Sequence, residues 1–311
     1  MERQLYIDRC GEQIFPPPFT ATARDYYGFV IRADQKVIQA HICERYFNSP
    51  LRHAGRFIAF PHVIFIFSNV ENARSAAENY SELGSFSYRE AAVWTLIGDR
   101  EAQQLRWFQP YMFVDESVAM VTGREIYGFP KTLGSFRIPN GPTAPDRLWV
   151  KTSVVQDRGA QGSQQLLFEA GRRPDSTAAC SGCNEDDFMA QLLHMLKVNP
   201  KYFEQFEIPA EMATQFYKDL SAMQLPLMFL KEFRSAVNPT HADGMLIQEA
   251  KCQITRFRNA GLYNGTYELA INDVISHPIR NDLGLAKGQL QVEAAFYLSF
   301  DFELGTCAIL S

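Results

Sequence analysis

The sequence predicts a β-rich α+β fold, with one large, strongly curved and mostly antiparallel sheet that carries an inserted pair of helices. Three observations lead to this class. Strand patterns dominate the 311-residue chain, helical periodicity is confined to three stretches, and a hydrophobic content of 46% is ample for a sizeable core. Because we find neither an internal repeat nor a long linker, we expect a single domain over residues 1–311.

Eight segments have the composition of β-strands. They are rich in Val, Ile, Phe and Tyr, and several of them alternate apolar with polar residues, which is typical of strands with one buried face. In chain order they are Tyr26–Arg32, Phe57–Phe67, Tyr111–Val121, Arg147–Val155, Gln164–Ala170, Met245–Phe257, Tyr263–Ile271 and Leu290–Phe302. We expect them to form the curved sheet.

Helical periodicity occurs over Gln35–Phe47, Glu185–Lys197 and Ala210–Met223. Asn184 precedes an acidic first turn and is the predicted N-cap of the second helix. The two later helices are neighbours in a segment that runs from about residue 157 to 225 and contains long polar stretches. We interpret this segment as a helical insertion on the sheet.

Charge and cysteine usage exclude several classes of protein. The formal charge of -5 is small and its signs are mixed along the chain, so we expect neither nucleic acid nor a membrane surface as a partner. We also expect no signal peptide and no membrane span, because a span needs about 20 apolar residues. The six cysteines are typical of buried thiols in a reducing compartment, which favours a cytoplasmic location.

We expect no metal and no cofactor. Cys180 and Cys183 have the spacing of half a zinc site, but the nearest histidine, His194, lies in the middle of an apolar helical face. The other histidines lack metal-hydrolase spacing, and neither glycine-rich phosphate motif occurs.

The most informative motif is the run GREIYGFPKTLG from Gly123 to Gly134. It places Lys131 after a proline and among apolar residues, in a chain with nine lysines and twenty-one arginines. Such a lysine is either an ordinary exposed side chain after a turn or a buried amine. Burial would disfavour the ammonium form, and an uncharged amine can attack a carbonyl to form a Schiff base.

This run, preceded by PYMFVDESVAMVT, resembles the signature of the acetoacetate decarboxylase family. The segments FVIRAD, LGSFSYREAAV and HPIRNDLGL are similar to other parts of that family, whereas residues 157–225 have no counterpart that we can place. The resemblance implies a curved antiparallel fold around a small apolar pocket, often in homo-oligomers. It also implies Lys131 as the nucleophile, with Arg32 and Glu90 as polar groups of the pocket.

These residue types suit a lyase that acts on a short keto acid. Lys131 would condense with the ketone, Arg32 would bind the substrate carboxylate through a bidentate pair, and Glu90 would transfer protons if burial raises its pKa. Tyr127 and Phe129 would line the substrate site and keep it dry. Arg32 could instead pair with Asp34 at the surface, and Glu90 could belong to a solvated face.

Two departures from the family pattern leave the reaction open. Thr132 stands where the decarboxylases carry a second lysine, and the strand around Val63–Ser68 lacks a further carboxylate. Decarboxylation of a β-keto acid is the first expectation. The alternatives are an aldolase-dehydratase that joins pyruvate to an aldehyde through the same imine, and a non-catalytic member that binds a small ligand.

Overall fold

The computed structural model describes residues 5–7, 14–177, 179–184, 186–188, 190–191, 205 and 207–310. Its fourteen strands in the described part of the chain form one mixed, mostly antiparallel sheet, which confirms the predicted β-rich α+β class. The strands are β1 Phe19–Arg32, β2 Phe57–Ser75, β3 Phe86–Asp99, β4 Gln104–Val114, β5 Lys131–Arg137, β6 Arg147–Val154, β7 Ser163–Arg172, β8 Cys180–Cys183, β9 Gln224–Arg234, β10 Ala242–Tyr263, β11 Tyr267–Ile271, β12 Leu290–Gln291, β13 Ala294–Leu304 and β14 Ala308–Ile309.

The helices are short and lie between the strands. The α-helices are α1 Gln35–Ile38, α2 Ser49–Leu51, α3 Ser117–Thr122, α4 Ala210–Ser221 and α5 Ile279–Leu283. Two π-helical segments, Gln39–Asn48 and Gly123–Tyr127, continue α1 and α3, and a single 3₁₀ turn covers Ser81–Leu83. None of the helices in the described residues is long and apolar enough to cross a membrane.

The sheet curves back on itself to form a ring. Strands β4, β3, β2, β1, β13, β10 and β9 pair in that order, all antiparallel. One parallel contact between Trp107 of β4 and Leu227 of β9 closes the ring. From β4 a second arm departs through the parallel neighbour β5 and continues with β6, β7, β11 and β12.

Alternation along the strands separates two apolar cores. In β1, Tyr27, Phe29 and Ile31 face the second arm, where Phe65 of β2 packs against Phe168 of β7 with ring centroids 5.2 Å apart. Residues of the opposite parity face the other core, which also receives α4. The second core contains the candidate site.

Most of the predicted elements are present, although their bounds differ. The strand predicted over Tyr111–Val121 is wrong in its second half, because β4 ends at Val114 and α3 follows. Glu116 caps that helix by accepting a hydrogen bond from the Val118 N–H at 3.3 Å. The strand predicted over Tyr263–Ile271 divides, since Tyr263 ends β10 and β11 begins at Tyr267.

The predicted insertion has both a sheet strand and helices. Its first part contains β7, which pairs with β6 and β11, and its last part contains α4. The predicted cap is present, since Asn184 Oδ1 accepts a hydrogen bond from the Asp187 N–H at 2.9 Å and the described residues that follow are helical. Residues 192–197 of the predicted helix lie outside the described part.

Candidate active site

A tight loop positions the glycine-rich run Gly123–Gly134. The π-helical segment Gly123–Tyr127 ends at Gly128, whose φ of 87° lies in the left-handed region that favours glycine. The N–H groups of Gly128 and Phe129 both donate to the Gly123 carbonyl, at 3.0 and 3.1 Å. The chain therefore reverses within a few residues and delivers Lys131 to the start of β5.

Lys131 reaches the interior along the surface of Gly123. A Cβ atom at Gly123 would lie 2.6 Å from Lys131 Cδ and 2.9 Å from Cε, so no other residue fits there without moving the lysine. The side chain ends in the second core, and Lys131 is only 6% exposed. Of the two interpretations of Lys131, the structure therefore shows the buried amine and not the exposed side chain after a turn.

Glu90 lies beside this amine. Its Oε2 atom is 3.6 Å from Lys131 Nζ, and Glu90 is also 6% exposed. Strand β4 lies between the strands of these two residues and brings their side chains together. Glu90 pairs with Val114 of β4, and Lys131 pairs with Met112, two residues earlier on β4. Positions two apart on a strand share a face, so both side chains point into the same core.

Burial shifts both groups toward their uncharged forms. Desolvation lowers the pKa of the Lys131 amine below its ordinary value, although the neighbouring Glu90 charge opposes the change. Desolvation likewise raises the pKa of Glu90, against the opposing effect of Lys131. Thr132 is the next residue of β5 and therefore faces the other way. Desolvation, with no neighbouring lysine, is the cause of the shift at Lys131.

The two groups lie on the wall of a small cavity of about 90 Å³. Most of the wall is apolar, and aromatic rings make up a large part of it. Those aromatic residues are Phe19, Tyr26, Phe86, Tyr88, Trp94, Tyr127, Phe129, Phe300 and Phe302. One water molecule needs roughly 10–15 Å³ of such cavity volume, so the cavity has room for a ligand of only several heavy atoms.

The structure brings together four of the five predicted site residues. Lys131, Glu90, Tyr127 and Phe129 all line the cavity. Arg32 does not; it is exposed, at the end of β1. It has the same parity in β1 as Tyr26 of the cavity wall, but six residues of strand separate them, or roughly 20 Å. The expectation that Arg32 binds substrate in this site is therefore not supported, and we assign it no role there.

Sequence reasoning missed Tyr26, Tyr88 and Trp94 as members of the wall. Tyr88 could have been found, because it precedes Glu90 by two residues in β3 and alternation gives both the same face. Arg124 anchors the loop instead of lining the cavity, since its Nη1 donates to the Lys131 carbonyl at 3.2 Å. Within the described residues, no group of three or more His, Cys, Asp and Glu side chains could hold a metal ion.

Comparisons with known proteins indicate the family and the fold. A family model of acetoacetate decarboxylase matches residues 11–197, more than half of the chain. None of the curated proteins matches the chain.

Solved structures share the fold at low sequence identity. Acetoacetate decarboxylase from Legionella pneumophila subsp. pneumophila str. Philadelphia 1 is 14% identical, with a TM-score of 0.61 over 100% of this chain and 92% of that chain. The enduracididine biosynthesis enzyme MppR complexed with pyruvate is 16% identical, with a TM-score of 0.57 over 96% and 92% of the two chains. An acetoacetate decarboxylase-like enzyme from Sphingomonas wittichii RW1 is 12% identical, with a TM-score of 0.56 over 94% and 93%.

The extent of the family match, together with a fold shared along nearly the whole length of these structures, gives the classification. The chain belongs to the acetoacetate decarboxylase family.

Proposed function

We propose that this protein is a Schiff-base-forming lyase that decarboxylates a short β-keto acid, with Lys131 as its nucleophile. The observation that carries the proposal is the buried pair of Lys131 and Glu90 on the wall of a small apolar cavity. Such a site favours an uncharged amine, and an uncharged amine is the form that attacks a ketone.

The proton balance of imine formation matches the pair. The Lys131 lone pair bonds to the ketone carbon, and one amine proton moves to the carbonyl oxygen, which gives a carbinolamine. Protonated Glu90 then gives its proton to the hydroxyl group, which leaves as water while the C=N bond forms. An uncharged pair thereby becomes a carboxylate beside a protonated iminium ion, and Glu90 is the catalytic acid.

The iminium ion is the electron sink for the next step. The bond between the α-carbon and the carboxylate breaks, its electrons move toward the iminium nitrogen, and carbon dioxide leaves. A proton taken up from solvent bonds to the α-carbon of the enamine, and hydrolysis of the resulting iminium ion releases the ketone, restores the amine and returns a proton to Glu90. The apolar wall supports this step, because a carboxylate in such surroundings is poorly solvated and is lost as a neutral molecule.

The charge inventory of the wall favours decarboxylation over chemistry on pyruvate. Among the described residues that line the cavity, Lys131 is the one Lys or Arg side chain. An aldolase-dehydratase must retain the carboxylate of pyruvate throughout its reaction, and such a group is usually held by a cation. The aldolase-dehydratase and the non-catalytic binding protein remain the alternatives.

Trapping of the imine tests the proposal. The protein is treated with borohydride in the presence of acetoacetate or of pyruvate, and the peptide that contains Lys131 is examined by mass spectrometry. We expect an adduct with acetoacetate, loss of that adduct in Lys131→Met, and its retention in Lys151→Met, which changes an exposed lysine of β6.

The products formed with each acid distinguish the proposed decarboxylation from its two alternatives. Carbon dioxide release with acetoacetate supports decarboxylation, whereas an adduct and carbon-carbon bond formation with pyruvate and an aldehyde would support the aldolase-dehydratase. No adduct with either acid, together with unchanged ligand binding in Lys131→Met, would leave only the binding protein.

We further propose a cytoplasmic homo-oligomer built from single-domain subunits with an insertion at about residues 157–225. The free thiols Cys43 and Cys252, both buried, support a reducing compartment. Light scattering coupled to size-exclusion chromatography measures the oligomeric state, and a monomeric mass would contradict that part of the proposal.

A further inference from the structure

The reacting nitrogen lies close to two aromatic rings. Lys131 Nζ is 4.9 Å from the ring centroid of Tyr88 and 5.3 Å from that of Phe129. Both distances fall within the roughly 6 Å over which a ring face attracts a cation, and the attraction is strongest where water is excluded. Glu90 Oε2, at 3.6 Å, is the third neighbour.

The hydrogen-bond inventory around this nitrogen is short. An ammonium group has three N–H donors. In the described part of the chain, the recorded protein acceptor near Lys131 Nζ is Glu90, so the other two donors of an ammonium ion would depend on water inside a largely apolar cavity. A protonated iminium nitrogen carries a single N–H, which Glu90 alone can satisfy.

We propose that Tyr88 and Phe129 form an aromatic cage that selects the iminium ion over the ammonium ion at Lys131, with the ring of Tyr88 as a catalytic group. This inference rests on the proposed function of Lys131. Aromatic cages are known to bind alkylated ammonium groups, whose charge is spread over carbon and whose N–H donors are few. The iminium ion has both of these properties, so the rings stabilise the intermediate while the shortage of acceptors disfavours the charged resting amine.

Phe129 is held in position by its own neighbours. Its ring packs edge-on against Phe229, with centroids 4.7 Å apart, and lies 5.8 Å from the ring of Tyr127. Tyr88 stacks on Phe86 of the same strand, with centroids 5.8 Å apart. Both faces of the cage are therefore fixed before any ligand arrives.

Other titratable groups near the nitrogen are few. Besides Glu90, the wall carries Tyr26, Tyr88, Tyr127 and Cys252. Burial raises the pKa of Cys252 to about 12 and also raises the pKa values of Tyr26, Tyr88 and Tyr127 above their ordinary values, so these groups stay uncharged at neutral pH. A change in the charge of Lys131 between pH 6 and 9 thus reports on the cage and on Glu90.

Reductive methylation provides a test that needs no keto acid. Lys131 is converted to its ¹³C-dimethyl form, its NMR signal is assigned by absence from Lys131→Met, and its pKa is compared with that of the unmodified amine, obtained from the pH dependence of acylation by an aryl ester. We expect dimethylation to raise the pKa of Lys131, because it removes the two donors for which the cavity wall offers no charged acceptor. Lys218, an exposed lysine of α4, is the internal control and should change little.

Three variants identify the responsible group. Tyr88→Leu removes the ring face and should reduce both the proton affinity of the dimethyl amine and the yield of imine with acetone by about tenfold. Tyr88→Phe keeps the face and should stay within about twofold of the wild type. Phe129→Leu should resemble Tyr88→Leu. Circular dichroism confirms that each variant is folded.

The outcomes separate this inference from the proposed function. If Tyr88→Phe loses as much as Tyr88→Leu, the hydroxyl group and not the ring acts, and the cage is wrong. The cage is also wrong if Tyr88→Leu lowers the proton affinities of the dimethyl and unmodified amines equally. If the methylation results hold but acetoacetate gives no adduct, the cage stands and the proposed reaction fails.

Discussion

Two buried carboxylates toward opposite ends of β3 have pKa values that are shifted in opposite directions. Glu90 faces Lys131 in the cavity, whereas Asp99 ends the strand among Arg56 and Arg106. Asp99 is 1% exposed and so is at least as deeply buried as Glu90. Burial alone would raise the pKa of Asp99, but its hydrogen bonds and the two arginine charges outweigh burial and hold that pKa below its ordinary value.

The number of donors accounts for the difference. Asp99 accepts two hydrogen bonds from Arg56 and one from Arg106, each at 3.0 Å, and also accepts from the backbone N–H groups of Glu101 and Ala102. Glu90 has one partner at 3.6 Å. A fully satisfied carboxylate stays charged and stabilises the fold, whereas a poorly satisfied one is available for proton transfer.

The largest expected effect is a loss of folding stability when the Asp99 carboxylate is replaced. Asp99→Asn removes the buried anion shared by Arg56 and Arg106, which then keep only the more exposed Glu101 and Glu249, and it should lower the free energy of unfolding by about 3 kcal/mol, measured by urea denaturation. Asp301→Asn, at a more exposed arginine pair, is the matched control and should cost less than about 1 kcal/mol. A loss below about 1 kcal/mol in Asp99→Asn would remove the contrast.

The change from carboxylate to amide at Glu90 should instead lower the reaction rate and leave the fold stable. Glu90→Gln removes the acid that expels water from the carbinolamine, so we expect the decarboxylation rate to fall about a hundredfold. The free energy of unfolding should not fall, because Gln replaces a carboxylate whose burial raises its pKa and no satisfied ion is lost. Full activity in Glu90→Gln would show that the acid lies elsewhere.

A smaller effect should come from the position of the amine. Gly123→Ala places a methyl group against the Lys131 side chain, which must shift, and we expect imine trapping with acetoacetate to fall about tenfold. Gly182→Ala is the control, because a Cβ there would meet nothing within 4 Å. Equal trapping in both variants would mean that the position of Nζ tolerates the shift.

The smallest effect is a pH dependence of stability. Because the pKa of Glu90 is raised in the folded state, its contribution is fully present below its unfolded value of about 4.3 and is lost as the pH rises through the folded value. The wild type should therefore lose stability relative to Glu90→Gln over that window, by about 1.4 kcal/mol for each tenfold change in proton affinity. Urea denaturation at several pH values measures this loss, and a flat difference would contradict the raised pKa.

The fold was predictable where local pattern and structure agree. Alternating segments such as β6 and the amphipathic stretch that became α4 were recognised with nearly correct bounds. β3 was missed because its second half, from Ala91 to Ile97, is buried on both faces and does not alternate. β5 was missed because it is short and contains Gly134, so that its pairing with β4 and β6 defines it more than its own propensity does.

Prediction of the site depended on the motif more than on pattern. Lys131 came from the glycine-rich run and Glu90 from the family resemblance, and the structure places both in one cavity. Arg32 lies outside the cavity wall, because a resemblance fixes a position in the chain without fixing how far a strand carries it from the cavity. Tyr88 was missed because β3 itself was not predicted, so the alternation that gives Tyr88 and Glu90 the same face was not applied.

Strand β4 lies between the strand of Glu90 and the strand of Lys131, so the surroundings of the amine exist only after three strands have assembled. In an unfolded chain Lys131 returns to water, where about one such amine in 2,500 is uncharged at pH 7. Most of the described lysines are already exposed in the folded protein, so denaturation should change their acylation little, but at Lys131 it should slow acylation. The labelling rate of this one residue therefore serves as an internal gauge of the native population.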